Sequence, residues 1–160
     1  MADEAGITMT LDRVPEIMGK INELAQTAVM VGIPASSAGR SGSPINNATL
    51  GYIHENGSPA RNIPARPWLA PVVNRLKDRA QAALQQAADF TLGNEPEKGR
   101  QQLEALGLTA VAALKNNITS GGDPAFAPNA PSTIARKGSD RPLIDTAQFL
   151  NSINYVIRRR

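Results

Sequence analysis

The sequence predicts an α+β fold: a small antiparallel or mixed sheet packed against two or three helices and joined by long flexible loops. Three observations carry this. Apolar residues recur at helical spacing in separate stretches, two short β-branched runs lie near opposite ends of the chain, and segments rich in Gly, Pro, Ser and Asn divide them. With 160 residues, 41% of them hydrophobic and 4% aromatic, the chain can bury one core and has little left for a second. We therefore read a single domain over 1–160.

Residues 10–34 read as a helix and a strand. Leu11, Val14, Ile17, Met18, Ile21 and Leu24 form one stripe on a helical face. Asp12 or Thr10 can cap it, and Pro15 falls in the first turn, where its missing N–H costs nothing. Residues 27–33 are β-branched and short, with Val29, Val31 and Ile33 on one face and Pro34 closing the run.

Residues 35–67 read as loops with one short helix. Positions 35–47 have almost nothing to bury and form an exposed loop or edge hairpin tip, a candidate for partner binding. Asn47 can cap a helix through Leu50, Ile53 and His54, which Gly57 would stop in the left-handed conformation. In the segment after it, Pro59, Pro64 and Pro67 each fix their own φ and extend the residue before them.

Residues 68–118 read as a helical hairpin. Trp68, Leu69, Val72, Val73, Leu76, Ala80, Ala83, Leu84 and Ala87 mark its first helix, with Pro71 in the first turn. The second runs from near Glu97 to about Ile118, with Leu103, Leu106, Leu108, Val111, Leu114 and Ile118 as buried candidates and Gly121-Gly122 as its stop. Residues 119–145 read as an extended loop, longer than a compact domain carries without a functional reason, to be held by something outside the subunit. Residues 146–158 read as a helical turn and a strand. Asp145 or Thr146 can cap the turn over Phe149 and Leu150, and Ile153, Tyr155 and Ile157 then alternate, so this strand can pair with the one at 27–33.

A net charge of +3 is modest and does not by itself point to nucleic acid. Arg136, Lys137, Arg141, Arg158, Arg159 and Arg160 concentrate the excess near the C-terminus, where a solvated tail is the simpler reading. The absence of cysteine excludes disulfides and thiolate metal sites. Residues 1–10 lack the basic start and apolar run of a secretory signal, so synthesis in the cytosol is expected. No stretch approaches the roughly 18 apolar residues of a spanning helix, and no membrane partner is expected.

His54, the single histidine, has no second histidine or cysteine to join it in a zinc site. An acid–base pair of His54 and Glu55 is disfavoured, because neighbours on a helix diverge by roughly 100°. Asp123, Asp140 and Asp145 invite a magnesium-nuclease reading, yet each sits beside Gly, Ser or Pro, where aspartate commonly caps or turns. Nucleotide-binding glycine loops are missing. The expectation is no catalytic residue, no cofactor and no metal. What stands out is Ile63-Pro64-Ala65-Arg66-Pro67-Trp68-Leu69, a stiff arm that delivers a tryptophan to the start of a helix. Trp68 can anchor there in the subunit's own core, in an interface, or in both.

These residues carry a family resemblance. The run Gly51-Tyr52-Ile53-His54-Glu55-Asn56-Gly57 with the arm from Ile63 to Leu69 resembles the "HEFG … IPARPFL" signature of small tailed-phage neck, tail-completion and virion-morphogenesis proteins. Thr133-Ile134-Ala135-Arg136-Lys137-Gly138 and the run from Pro142 through Leu143, Ile144, Asp145, Thr146 and Ala147 to Ser152 and Ile153 resemble its "TIxRKGSxxPLIDTGQLRNSI" ending. Order and spacing agree, and the resemblance extends over nearly the whole chain from Val29. In this chain Asn56 stands in place of an aromatic, Ala147 in place of the glycine of "DTG", and Phe149-Leu150 in place of "LR".

The resemblance implies a non-enzymatic, ring-forming subunit, a hexamer, of the virion tail or neck, made in the host cytoplasm. Its implied partners are its own copies, the head–tail connector or head-completion protein, and the tail terminator or tail tube protein. Tyr52, His54, Glu55, Gly57, Pro64, Arg66, Pro67, Trp68, Leu69, Leu143, Ile144, Asp145, Thr146, Ser152 and Ile153 are then interface or fold-anchoring residues. Arg136, Lys137, Arg158, Arg159 and Arg160 would make weak, transient contact with packaged DNA. The alternative reading is a phage-encoded nucleic-acid-binding accessory protein that uses Arg136, Lys137, Arg141 and the terminal Arg158, Arg159 and Arg160.

Overall fold

The computed structural model describes residues 13–159, and it is α+β, as the sequence predicts. Leu11, the proposed caps Thr10 and Asp12, and Arg160 lie outside the described residues. Helix α1 (Val14–Gln26) begins at Arg13, whose side chain makes no capping bond. Four helices, α1, α3 (Ala70–Arg75), α5 (Pro96–Thr119) and α6 (Pro131–Lys137), carry a proline in their first turn, where the ring's fixed φ suits the helix and no hydrogen bond is lost.

The sheet joins the two ends of the described chain. Strand β1 (Thr27–Gly32) pairs antiparallel with β2 (Asn154–Arg159), Val29 opposite Ile157 and Val31 opposite Tyr155. The expected strand at 27–33 is thus one residue shorter, with Ile33 packed on the core just beyond it. The pair lies against α5. Gly107 of α5 permits this approach, since a Cβ there would come within 2.2 Å of the Tyr155 ring.

The expected helical hairpin exists, and α4 (Lys77–Leu92) packs along α5. Its first helix, expected as one piece from Trp68, is divided. At Leu76 ψ falls to −2°, and its N–H is shared between the Val72 and Val73 carbonyls at 3.1 and 3.2 Å. Trp68 and Leu69 precede α3 and serve as its entry.

The core gathers Trp68, Val72, Leu114, Ile118, Phe149 and Ile153, with Phe126 beside them. Leu108, expected inside, is 60% exposed. The buried stripe of α5 instead runs through Leu103, Leu106, Gly107, Ala110, Leu114 and Ile118, which leaves position 108 on the other face. The stripe of α1 is also largely uncovered by the described residues: Val14, Ile17, Met18 and Ile21 are each at least 40% exposed, and α1 packs mainly on α4 and β2.

The segments expected as loops are held by the chain itself. Within 119–145, read as an extended loop, lies α6, and Phe126 docks in the core. At 35–46 the polar side chains provide the anchors: Ser37 Oγ donates to the Ser152 carbonyl at 2.7 Å, and the Ser41 N–H donates to Gln148 Oε1 at 2.8 Å. Small polar residues need no apolar surface to be fixed when their hydrogen bonds find partners. No helix of the described residues is long and apolar enough to cross a membrane.

Candidate functional site

The segments that carry the family resemblance are far apart in sequence and meet around α2 (Asn47–Asn56). Asn46, one residue before the expected cap, begins this helix, its side chain accepting the Thr49 N–H at 2.8 Å. Asn47 is buried instead and donates to the Gly39 carbonyl at 2.8 Å. Gly57 ends the helix at φ 73°, a conformation that glycine adopts without strain, and the chain returns through Pro59–Arg61 to Arg66, whose N–H donates to the His54 carbonyl at 2.6 Å.

That return brings the arm beneath α2. The Glu55 carboxylate accepts three backbone N–H groups, from Trp68 at 2.8 Å, Leu69 at 2.9 Å and Ala70 at 3.0 Å, and so caps the start of α3. Trp68 is 3% exposed, and its indole N–H donates to the Gly51 carbonyl at 3.0 Å. Phe149 from α7 (Gln148–Ser152) meets Trp68 edge-on at 5.2 Å and the His54 ring at 5.7 Å. Gly51 leaves room for this junction: a Cβ there would be 3.2 Å from both Ile33 and Trp68. Trp68 is thus anchored in the subunit's own core. Glu55 is occupied with the backbone and is not paired with His54.

A cavity of about 550 Å³ opens beside the junction, between α2, α6 and the segment 143–149. Among the described residues Arg40, Arg66, Arg136 and Lys137 line it with a single carboxylate, Asp145. Arg66 is buried, and it donates through Nε to the Ala127 carbonyl at 2.7 Å and through Nη2 to the Pro128 carbonyl at 2.8 Å. These bonds fix the loop that precedes α6. Burial holds the Arg66 guanidinium below its ordinary pKa, and burial does the same to the Lys137 ammonium. His54 also lines the cavity. Its pKa is pushed down to about 4, first by burial and then by the positive fields of Arg66, Arg40 and Lys137, and its buried Nδ1 has no hydrogen-bond partner.

The remaining expected residues distribute as follows. Pro64, Leu143, Asp145 and Thr146 line the cavity, whereas Ile144 packs against the core. Pro67 is half-buried in the arm, and Tyr52 is 71% exposed. Ser152 and Ile153 are buried, with Ser152 Oγ donating to the Phe149 carbonyl at 2.6 Å. Neither Asp145 nor Thr146 caps α7. The capping position is Ala147, at φ 59°, and no side chain bonds there. Leu143 also holds a positive φ, 62°.

The basic residues separate into two places. Arg136 and Lys137 lie on α6 at the cavity, while Arg158 and Arg159 lie on β2, where Arg159 pairs with Glu23. Among the described residues no three His, Cys, Asp or Glu side chains converge as a metal site. Asp123 instead pairs with Arg75 at 3.3 Å.

Sequence reasoning gave Arg40, Asn117 and Gln148 no part in the site and read Asn47 only as a helix cap. Asn117 is buried, receives the Asp123 N–H at 3.0 Å, and donates to the Trp68 carbonyl at 3.4 Å. Its signal was present: it is a polar residue on the same helical stripe as Leu114 and Ile118. The chain matches no family model, no curated protein and no solved structure.

Proposed function

We propose that this chain is a non-catalytic structural subunit of a tailed-phage particle. It forms a ring, a hexamer, at the head–tail neck or the head-proximal end of the tail. The observation that carries the reading is the uncovered apolar face of α1. Val14, Ile17, Met18 and Ile21 are exposed in line, and beside them Leu24, Leu84, Ala88, Leu92 and Leu103 line an apolar groove. A contiguous apolar surface of this kind marks a protein contact, and a second copy of the chain is its occupant in a ring. Among the described residues each strand of the two-stranded sheet pairs along one edge, so the other edge is a further place for a neighbour to add.

The signature residues support a structural role. Glu55 is engaged with three backbone donors and Trp68 with the core, so the groups that look most like chemistry in the sequence are those that hold the fold. The test is in-vitro joining. Heads and tails accumulated without this protein are mixed with the purified chain, and complete particles are counted by electron microscopy. A rise in complete particles supports the neck or tail-completion role, and no rise with active controls rejects it.

A nucleic-acid-binding accessory protein is the second reading, favoured by the four basic side chains around the cavity. A gel shift that weakens steeply with salt would support it.

A further inference from the structure

We propose that the cavity between α2, α6 and the segment 143–149 is a receptor for an acidic peptide segment, taking a glutamate or aspartate carboxylate from a partner protein. This deepens the ring reading and rests on it only for the origin of that segment, a neighbouring particle protein.

Charge is the first argument. Four basic side chains, Arg40, Arg66, Arg136 and Lys137, face a single carboxylate, Asp145, across one cavity. The whole chain carries a formal charge of only +3, and the lining of this one cavity, four cations against one carboxylate, carries as much. Two of these groups are held by the protein rather than by solvent. Arg66 is buried with its guanidinium bonded to two carbonyls, and Lys137 Nζ donates to the Arg141 carbonyl at 2.7 Å. A guanidinium fixed in this way keeps further N–H donors for an incoming oxygen and loses little side-chain entropy when it binds.

Shape and chemistry of the walls choose among anions. Leu50, Ile63, Pro64, Leu143 and Phe149 supply apolar wall between the charges. Such a wall suits the methylenes and flanking apolar side chains of a peptide, and offers nothing to the hydrated edge of a free phosphate. A cavity of about 550 Å³ admits side chains and a short stretch of backbone, whereas duplex DNA is too wide to enter it. His54 Nδ1, buried in this wall without a partner, is a polar atom whose environment changes when an anion arrives.

The test uses the purified full chain and four probes: a capped peptide with glutamates flanking a leucine, its glutamine analogue, inorganic phosphate, and a single-stranded oligonucleotide. Binding is followed by calorimetry and by NMR of His54, which as the only histidine gives one unambiguous signal. The expected result is saturable binding of the glutamate peptide, with the His54 titration moved to higher pH because the bound carboxylate offsets the fields of Arg40, Arg66 and Lys137. Arg136→Glu, an exposed position, weakens this by about tenfold, and Asp145→Asn, also exposed, tightens it several-fold. Equal binding of the glutamine peptide overturns the proposal, as does a His54 signal that no probe moves. Tighter binding of phosphate or oligonucleotide than of the glutamate peptide overturns it in favour of a simple oxyanion or nucleic-acid site. The two readings separate cleanly: peptide binding without particle joining removes the ring reading and leaves the cavity's assignment intact.

Discussion

The Glu55 carboxylate stands 2.8 Å from the Trp68 backbone N–H, and this contact ties the end of α2 to the entry of α3. The same carboxylate also accepts from Leu69 and Ala70, so one side chain satisfies the N–H groups of the two residues that lead into α3 and of its first residue. In the sequence these residues belong to two separate motifs, and the fold makes them one unit.

Removing that carboxylate will loosen the junction. Glu55→Ala is expected to lower unfolding free energy by about 2–3 kcal/mol, and Glu55→Gln by about 1 kcal/mol, because the amide oxygen still accepts without charge assistance. Urea unfolding followed by the fluorescence of Trp68, the sole tryptophan, measures both. Equal stability of Glu55→Ala and the parent chain would refute the capping role.

Trp68→Ala removes the largest side chain of the core and is expected to cost about 3–5 kcal/mol, enough to prevent particle joining through loss of fold. Trp68→Phe keeps most of the packing and loses the bond to the Gly51 carbonyl, for about 1–2 kcal/mol. Thermal unfolding of the two variants should therefore rank them well apart.

The His54 imidazole makes stability depend on pH. Its ordinary value is 6.5, and in the fold it is pushed down to about 4. Between those values the unfolded chain binds a proton that the folded chain refuses, so stability falls as pH drops from about 6.5 to about 4, by about 2–3 kcal/mol, and this group has no effect above that window. Arg40, Arg66, Lys137 and Asp145 line the same cavity. Replacing His54 with glutamine should flatten the difference in stability between pH 7 and pH 4.5. An unchanged slope would contradict the assignment.

Ala147 holds φ 59° at the start of α7, a left-handed conformation that costs an L-residue about 1 kcal/mol or more. Ala147→Gly is expected to stabilise the chain by about 0.5–1 kcal/mol, after the added entropy of glycine in the unfolded state is subtracted. A rise in melting temperature checks this directly.

The uncovered face of α1 separates association from folding. Ile17→Glu together with Ile21→Glu should cost about 1–2 kcal/mol per site, because each side chain is only about 40% exposed and the rest packs on the protein, and cooperative urea unfolding should be retained. Joining of heads to tails should nonetheless be lost. Full joining activity in this double variant would remove α1 from the proposed interface.

Much of the architecture follows from patterns a single sequence carries. The stripes of α1, α4 and α5, the alternation at Ile153, Tyr155 and Ile157, and the stop at Gly57 rest on local periodicity and backbone preference, which act within a few residues. The motifs likewise mark Glu55, Arg66 and Trp68 as a group of consequence. Their partners were not legible. That Glu55 reaches across to three N–H groups, that Asn117 lies under Trp68, and that Arg40 joins Arg66, Arg136 and Lys137 around His54 depend on how separate segments converge. Local pattern also misplaced Leu108 and the loop at 119–145, since burial depends on which neighbour covers a face and a polar loop is ordered by whichever hydrogen-bond partners the fold brings to it. The sequence by itself determined the elements and their apolar faces. Only the tertiary structure decided which faces are covered, which charges share a cavity, and which motif residues became framework, because those are properties of contacts between residues tens of positions apart.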